Sequence, residues 1–156
     1  MNLEMPLADL LKHEHVVIGP SWLTFDQTIG GLVDCLATTG ALDPGACDEA
    51  RHALLAREAQ ASTAIAEIGV GVPHARLPRL TAAVAALAVS SDGLYDTVPG
   101  VPIRIVALVL SPEAATDAHL QLLAGVAMSL RSTSLRTALL RATDAADAIS
   151  ALRAPS

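Results

Sequence analysis

The residues here with the most chemistry to offer are the five histidines, His13, His15, His52, His74 and His119. A free imidazole titrates near pH 6.5, so it can act as base, nucleophile or metal ligand close to neutrality. No HExxH pair, CxxC pair or GxxxxGK[ST] loop occurs, which removes support for a zinc protease, a zinc ribbon or a P-loop nucleotide site. His13 and His15 stand two apart with no third metal ligand near them and read as a solvated pair, so no metal is expected. His52 lies among charged residues of a helical segment and reads as a surface residue. His74 has a different context, because it follows Val72-Pro73 where a strand-like run stops. Proline fixes its own φ and pushes the preceding residue into an extended conformation, so His74 is expected at the end of a sheet. Gly69 and Gly71 carry no side chain and leave room for another backbone or a partner surface. These cues alone fit a functional histidine and a packed core histidine equally.

Such a residue needs a scaffold, and the composition supplies one. A chain of 156 residues with 52% hydrophobic and 17% charged residues can bury a core, which argues for one domain over 1–156 and against disorder. Trp22, Phe25 and Tyr95 are the only aromatics, so that core must be aliphatic. The net charge is −6 and no cations cluster, which disfavours nucleic acid and is compatible with a basic protein partner. Residues 1–12 lack a basic segment followed by an apolar one, so no secretory leader is expected. The longest apolar run, Ala82 to Val89, is far too short to cross a bilayer, and no membrane insertion is expected. Cys35 and Cys47 fall inside helical patterns and read as buried, reduced thiols, with a cytoplasmic location as the consequence.

Periodicity predicts a helix from Thr24 to Thr39, opened by a Thr24–Gln27 capping box and closed at Gly40. Asp43-Pro44 reads as an N-cap and first-turn proline of a second helix reaching Glu58. Strands are expected over Ile68–Val72, Thr81–Ser90 and Ile103–Ser111, with a loop or hairpin in the SSDGLYDTVPGVP segment. Helical spacing returns from Asp117, and two short helices follow over Leu135–Ala142 and Ala145–Leu152. Helices, a block of strands, then helices predict an α/β fold in which helices sandwich a small mixed sheet.

Arg57-Glu58, Ser62-Thr63 and Gly69-Val70-Gly71-Val72-Pro73-His74-Ala75 together resemble the signature of enzyme IIA domains. These belong to the fructose/mannitol/nitrogen-regulatory class of the bacterial phosphoenolpyruvate-dependent sugar phosphotransferase system. Asp117-Ala118-His119-Leu120 is similar to that family's second histidine at a helix start, and the likeness runs from about Leu7 to Leu152. Ala64 and Ala66 stand where the family has glycines, and the stretch before Gly69 is one residue longer. We place the extra residue in the turn, because a slip inside the strand would send every following side chain to the opposite face. The resemblance implies a phosphotransferase in which His74 accepts a phosphoryl group from the histidine-phosphorylated carrier protein. It implies His119 and Arg57 as supporting groups, with Ser62 and Thr63 assisting and no cofactor. The ordinary alternatives are a helix-start contact for His119, a helix-end arginine for Arg57 and turn roles for Ser62 and Thr63. Arg76 and Arg79 lie close enough in sequence to His74 to meet an acidic edge of a partner. The implied acceptor is a IIB component in sugar uptake. The alternative is a nitrogen-related regulatory protein whose phosphorylation state controls docking to target proteins. A domain that kept the fold and lost the chemistry is a third reading, motivated by the altered turn.

Overall fold

The computed structural model describes residues 6–154. Helix α1 (Pro6–Leu10) and a 3₁₀ turn (His13–His15) lead into strand β1 (Val16–Ile18) and helix α2 (Phe25–Thr38). A 3₁₀ turn (Pro44–Ala46) precedes α3 (Cys47–Gln60), followed by β2 (Ala64–Ile65), β3 (Val70–Gly71), β4 (His74–Leu77) and β5 (Val84–Val89). The β6 (Tyr95–Val98) and β7 (Val101–Ile103) pair forms a hairpin before β8 (Ile105–Pro112). Helices α4 (Thr116–Leu130), α5 (Thr133–Arg141) and α6 (Ala145–Arg153) complete the order.

The main sheet runs β1-β5-β8-β3-β2, with β4 continuing beside β8 beyond the end of β3. β5 and β8 pair antiparallel, whereas β3 and β4 run parallel to β8 and β1 runs parallel to β5. Alternate residues of β8 feed two cores: Ile105, Ala107 and Val109 with α1, α4 and α6, and Val106, Leu108 and Leu110 with α2 and α3. A strand buried on both faces reads as an unbroken apolar run, which is why the β5 and β8 stretches stand out in the sequence. The fold is the expected α/β sandwich.

Local capping follows the sequence closely at α2. Thr24 accepts a hydrogen bond from the Gln27 amide, and the Gln27 side chain reaches back to the amide of Leu23. Several other expectations need correction. Asp43 makes no side-chain cap, because the chain first forms the Pro44–Ala46 turn and α3 starts only at Cys47. The expected Ile103–Ser111 strand is divided: Ile103 belongs to the β6–β7 hairpin, and β8 begins after Arg104. The strand expected from Ile68 begins two residues later, after a 3₁₀ turn over Ala66–Ile68. Gly69 closes that turn at φ +68°, a left-handed conformation that a side chain would strain. This turn lies wholly ahead of the strand, which pairs with β8 from Val70 onwards.

His15 is not solvated. It is 2% exposed, its Nε2 meets the Thr39 hydroxyl, and burial lowers its pKa. Sitting between α1 and β1, it is carried inward by elements too short to leave a periodic signature. Cys35 and Cys47 are free but only half-buried, so the expected full burial of these thiols does not hold. Cys35 donates to the Glu14 carbonyl, and partial burial pushes both thiols up.

Val70 and Val72 face the α4 side of the sheet, and Ala75 and Leu77 face the α2–α3 side. Because strand side chains alternate, the chain keeps one phase through Pro73, which puts His74 and Arg76 on the α4 side. Behind this segment, Tyr95 is 6% exposed and its buried hydroxyl has no hydrogen-bond partner among the described residues. Burial pushes its pKa far up, and the nearby Glu58 carboxylate adds to the effect. The hydroxyl occupies the space that a methyl group at Gly71 would need. Gly71→Ala should therefore destabilise the protein by about 1–3 kcal/mol through overpacking. Tyr95→Phe removes an unpaired polar atom and should be neutral or stabilising by up to about 1 kcal/mol. Combined, Tyr95→Phe should recover most of the Gly71→Ala loss, as read from urea unfolding midpoints.

Candidate functional site

His74 opens β4, so the chain resumes as a strand after Pro73, where the sequence pattern predicts the strand-like run to stop. It pairs with Val109 of β8, and the preceding Pro73 carbonyl accepts from the Val109 amide. Pro73 has no N–H of its own, so the ladder is interrupted there without being lost. The His74 ring is half-buried, and its Nδ1 lies 2.8 Å from the Val72 carbonyl oxygen. A carbonyl oxygen only accepts, so Nδ1 carries the proton and the lone pair resides on Nε2.

His119 arrives from the other side of the same space. On α4 it begins the buried stripe continued by Leu122, Val126 and Leu130, and it is 7% exposed. Its Nδ1 is 2.7 Å from Oγ of Ser111, a buried residue near the end of β8. The serine hydroxyl can donate or accept, so this contact orients the ring without choosing its tautomer. The His74 and His119 rings lie with centroids 5.4 Å apart and planes tilted by 56°. The strand phase and the helix stripe thus bring together two residues far apart in the sequence.

Burial is the main cause lowering the pKa of His74; the Arg57 charge lowers it further, while the Val72 contact and the Glu58 charge oppose. The His119 pKa is also lowered, first by burial, then by repulsion from His74 and Arg76. Both rings are therefore held neutral more firmly than a free imidazole, as a nucleophile requires.

The remaining candidates divide. Arg57, in the last turn of α3, acts on the charge of His74 while one guanidinium nitrogen donates to the Ala61 carbonyl at 3.0 Å. Ser62 is exposed and its hydroxyl accepts from the Ala64 amide, which is a turn contact. The Thr63 hydroxyl donates to Glu58 at 2.6 Å and so is already engaged. Arg76 donates to the Glu113 carbonyl and the Thr116 hydroxyl, linking β4 to the start of α4 beside His119. Arg79 is exposed beyond β4. Two residues that were not among the sequence candidates touch them: Ser111 meets His119, and Glu58 holds Thr63. Glu58 had a signal in the Arg57-Glu58 pair; Ser111 had none, because its partner lies across the fold. Among the described residues, no group of three His, Cys, Asp or Glu side chains is placed to hold a metal ion, and no helix is long and apolar enough to cross a membrane.

Fold and site together define an α/β protein built around a paired-histidine centre, where a sheet strand meets the start of a covering helix. The chain belongs to the EIIA 2 family of the phosphoenolpyruvate-dependent sugar phosphotransferase system, whose model matches residues 9–154, and is a phosphotransfer component of that class. It is 32% identical over 120 residues to the PTS system fructose-specific EIIA component of Haloferax volcanii, covering 76% of each chain. It is 30% identical over 152 residues to a nitrogen regulatory protein of Bradyrhizobium diazoefficiens, covering 97% of each. Its fold is similar to the crystal structure of nitrogen regulatory protein IIA-Ntr from Neisseria meningitidis, with a TM-score of 0.81, 24% identity, and coverage of 94% of this chain and 98% of that one.

His15, His74 and His119 all have pKa values lowered by folding. The unfolded chain then binds more protons just below the ordinary histidine value, so stability increases with pH through that range. Thermal midpoints should be level above about pH 6.5 and fall as the pH drops below it. His15→Gln and His119→Gln should each flatten that acid-side slope.

Proposed function

We propose that this chain carries a phosphoryl group on Nε2 of His74, received from the histidine-phosphorylated carrier protein and passed to a IIB component in sugar uptake. The observation carrying this reading is the Nδ1 contact to the Val72 carbonyl, which leaves Nε2 as the nucleophile. In the transfer the Nε2 lone pair forms a bond to phosphorus. The donor's P–N bond breaks, and its electron pair returns to the donor imidazole. The Nδ1 proton stays in place, and the Val72 carbonyl stabilises the positive character that the ring gains. Such transfer asks the protein mainly for positioning and charge compensation. Arg57 offers that compensation beside His74, and His119 can donate to the phosphoryl oxygens. Ser62 and Thr63 support the turn that carries the strand, rather than the group itself. Arg76 and Arg79 present positive charge to an acidic partner edge. A cytoplasmic location fits these partners.

A second reading is favoured by the near-complete coverage of the Bradyrhizobium nitrogen regulatory protein. There the same phosphohistidine would control docking to a regulatory target, with no sugar delivered. Pull-downs with wild type and His74→Ala separate the two by whether permease components or regulatory proteins are captured.

Given enzyme I, the carrier protein and phosphoenolpyruvate, the intact protein should gain the mass of one phosphate, with the phosphorus on Nε2 by heteronuclear NMR. His74→Ala should gain none, and a wild-type chain that gains none overturns the reading. His119→Ala and Arg57→Ala should slow uptake by about tenfold or more. Because a neutral His74 is the reactive form and its pKa is lowered, uptake should hold steady down through pH 6.5 and decline only below it.

A further inference from the structure

Glu58 is joined to His74 by a continuous run of hydrogen bonds. Its Oε2 accepts from the Thr63 amide at 3.0 Å and its Oε1 from the Thr63 hydroxyl at 2.6 Å. The Thr63 carbonyl accepts from the Val72 amide at 3.2 Å, and the Val72 carbonyl meets Nδ1 of His74 at 2.8 Å. Every group in this run has a defined direction, because a carboxylate and a carbonyl only accept and an amide only donates.

The strands around it are too short to hold this geometry alone. β2 and β3 pair over only two positions, Ala64 with Gly71 and Ile65 with Val70. Past that pair, Val72 precedes Pro73, which has no amide to give and is tied to β8 only through its carbonyl, the acceptor for the Val109 amide. The Val72 peptide is therefore held from the β2 side by Thr63, and Thr63 is held by two bonds to one carboxylate on α3.

We propose that Glu58 is a positioning residue: through Thr63 and Val72 it holds the carbonyl that keeps the proton of His74 on Nδ1 and turns Nε2 towards the incoming phosphoryl group. This rests on His74 being the phosphoryl acceptor. Glu58→Ala removes both acceptors, so neither bond to Thr63 can form. Thr63→Val removes only the hydroxyl bond, and Thr63→Ser restores it.

The test reads the His74 ring directly, in the unphosphorylated protein, by nitrogen-15 NMR at a pH where the imidazole is neutral. Wild type and Thr63→Ser should show a single tautomer protonated on Nδ1. Glu58→Ala and Thr63→Val should show mixed tautomers, together with phosphorylation slowed about tenfold. Leu152→Ala, in the core on α6 and outside this run, controls for lost stability and should leave the tautomer unchanged. An unchanged tautomer in Glu58→Ala, or in Thr63→Val should the former not fold, overturns the inference even if phosphorylation slows. A shifted tautomer in a protein that never accepts phosphate would instead keep the positioning role and sink the proposed function.

Discussion

A carbonyl oxygen has lone pairs and no proton, and the chemistry available at this site follows from that asymmetry. Beside the Val72 carbonyl, the imidazole of His74 places its hydrogen on Nδ1 and keeps its nucleophilic pair on Nε2. The contact exists because the residue before a proline is extended and because the strand keeps its phase through Pro73. Had the surplus residue of the preceding turn fallen inside the strand, the His74 ring would face the α2–α3 core. The 3₁₀ turn over Ala66–Ile68 and the left-handed Gly69 come before the pairing with β8, which holds its register from Val70 to Leu77.

Burial and charge act together on the two rings. Desolvation disfavours the imidazolium on both, and the guanidinium of Arg57 near one and of Arg76 near the other adds repulsion. The same cations that discourage a proton would attract a phosphoryl group, so one arrangement prepares the nucleophile and its charge compensation. Burial also lowers the pKa of His15, which lies in another part of the molecule, so folding opposes protonation at all three imidazoles.

Some elements announce themselves in the sequence because their signals are local. The Thr24–Gln27 cap, the apolar runs of β5 and β8 and the stripe of α4 each repeat over enough residues to be read. β1, β2 and β3 are two or three residues long, below the length at which an alternating pattern can be distinguished. The alternation His-Ala-Arg-Leu of β4 is present, but Pro73 disguises it as a strand's end. Tyr95 and its unpaired hydroxyl leave no mark in the sequence, since nothing near Tyr95 indicates that Gly71 will lie beneath it.

His74 and His119 stood out from the other histidines through the resemblance to enzyme IIA domains, whereas the order of residues by itself determined the class of the fold and the aliphatic nature of the core. Those properties depend on residue type and near-neighbour spacing, which a linear chain displays. The tertiary structure decided which nitrogen of His74 is free, that Ser111 orients His119, that Thr63 is engaged by Glu58 and that the two rings lie side by side. Hydrogen-bond direction, desolvation and Coulomb interaction act through space over a few ångströms, and only the folded chain sets those distances.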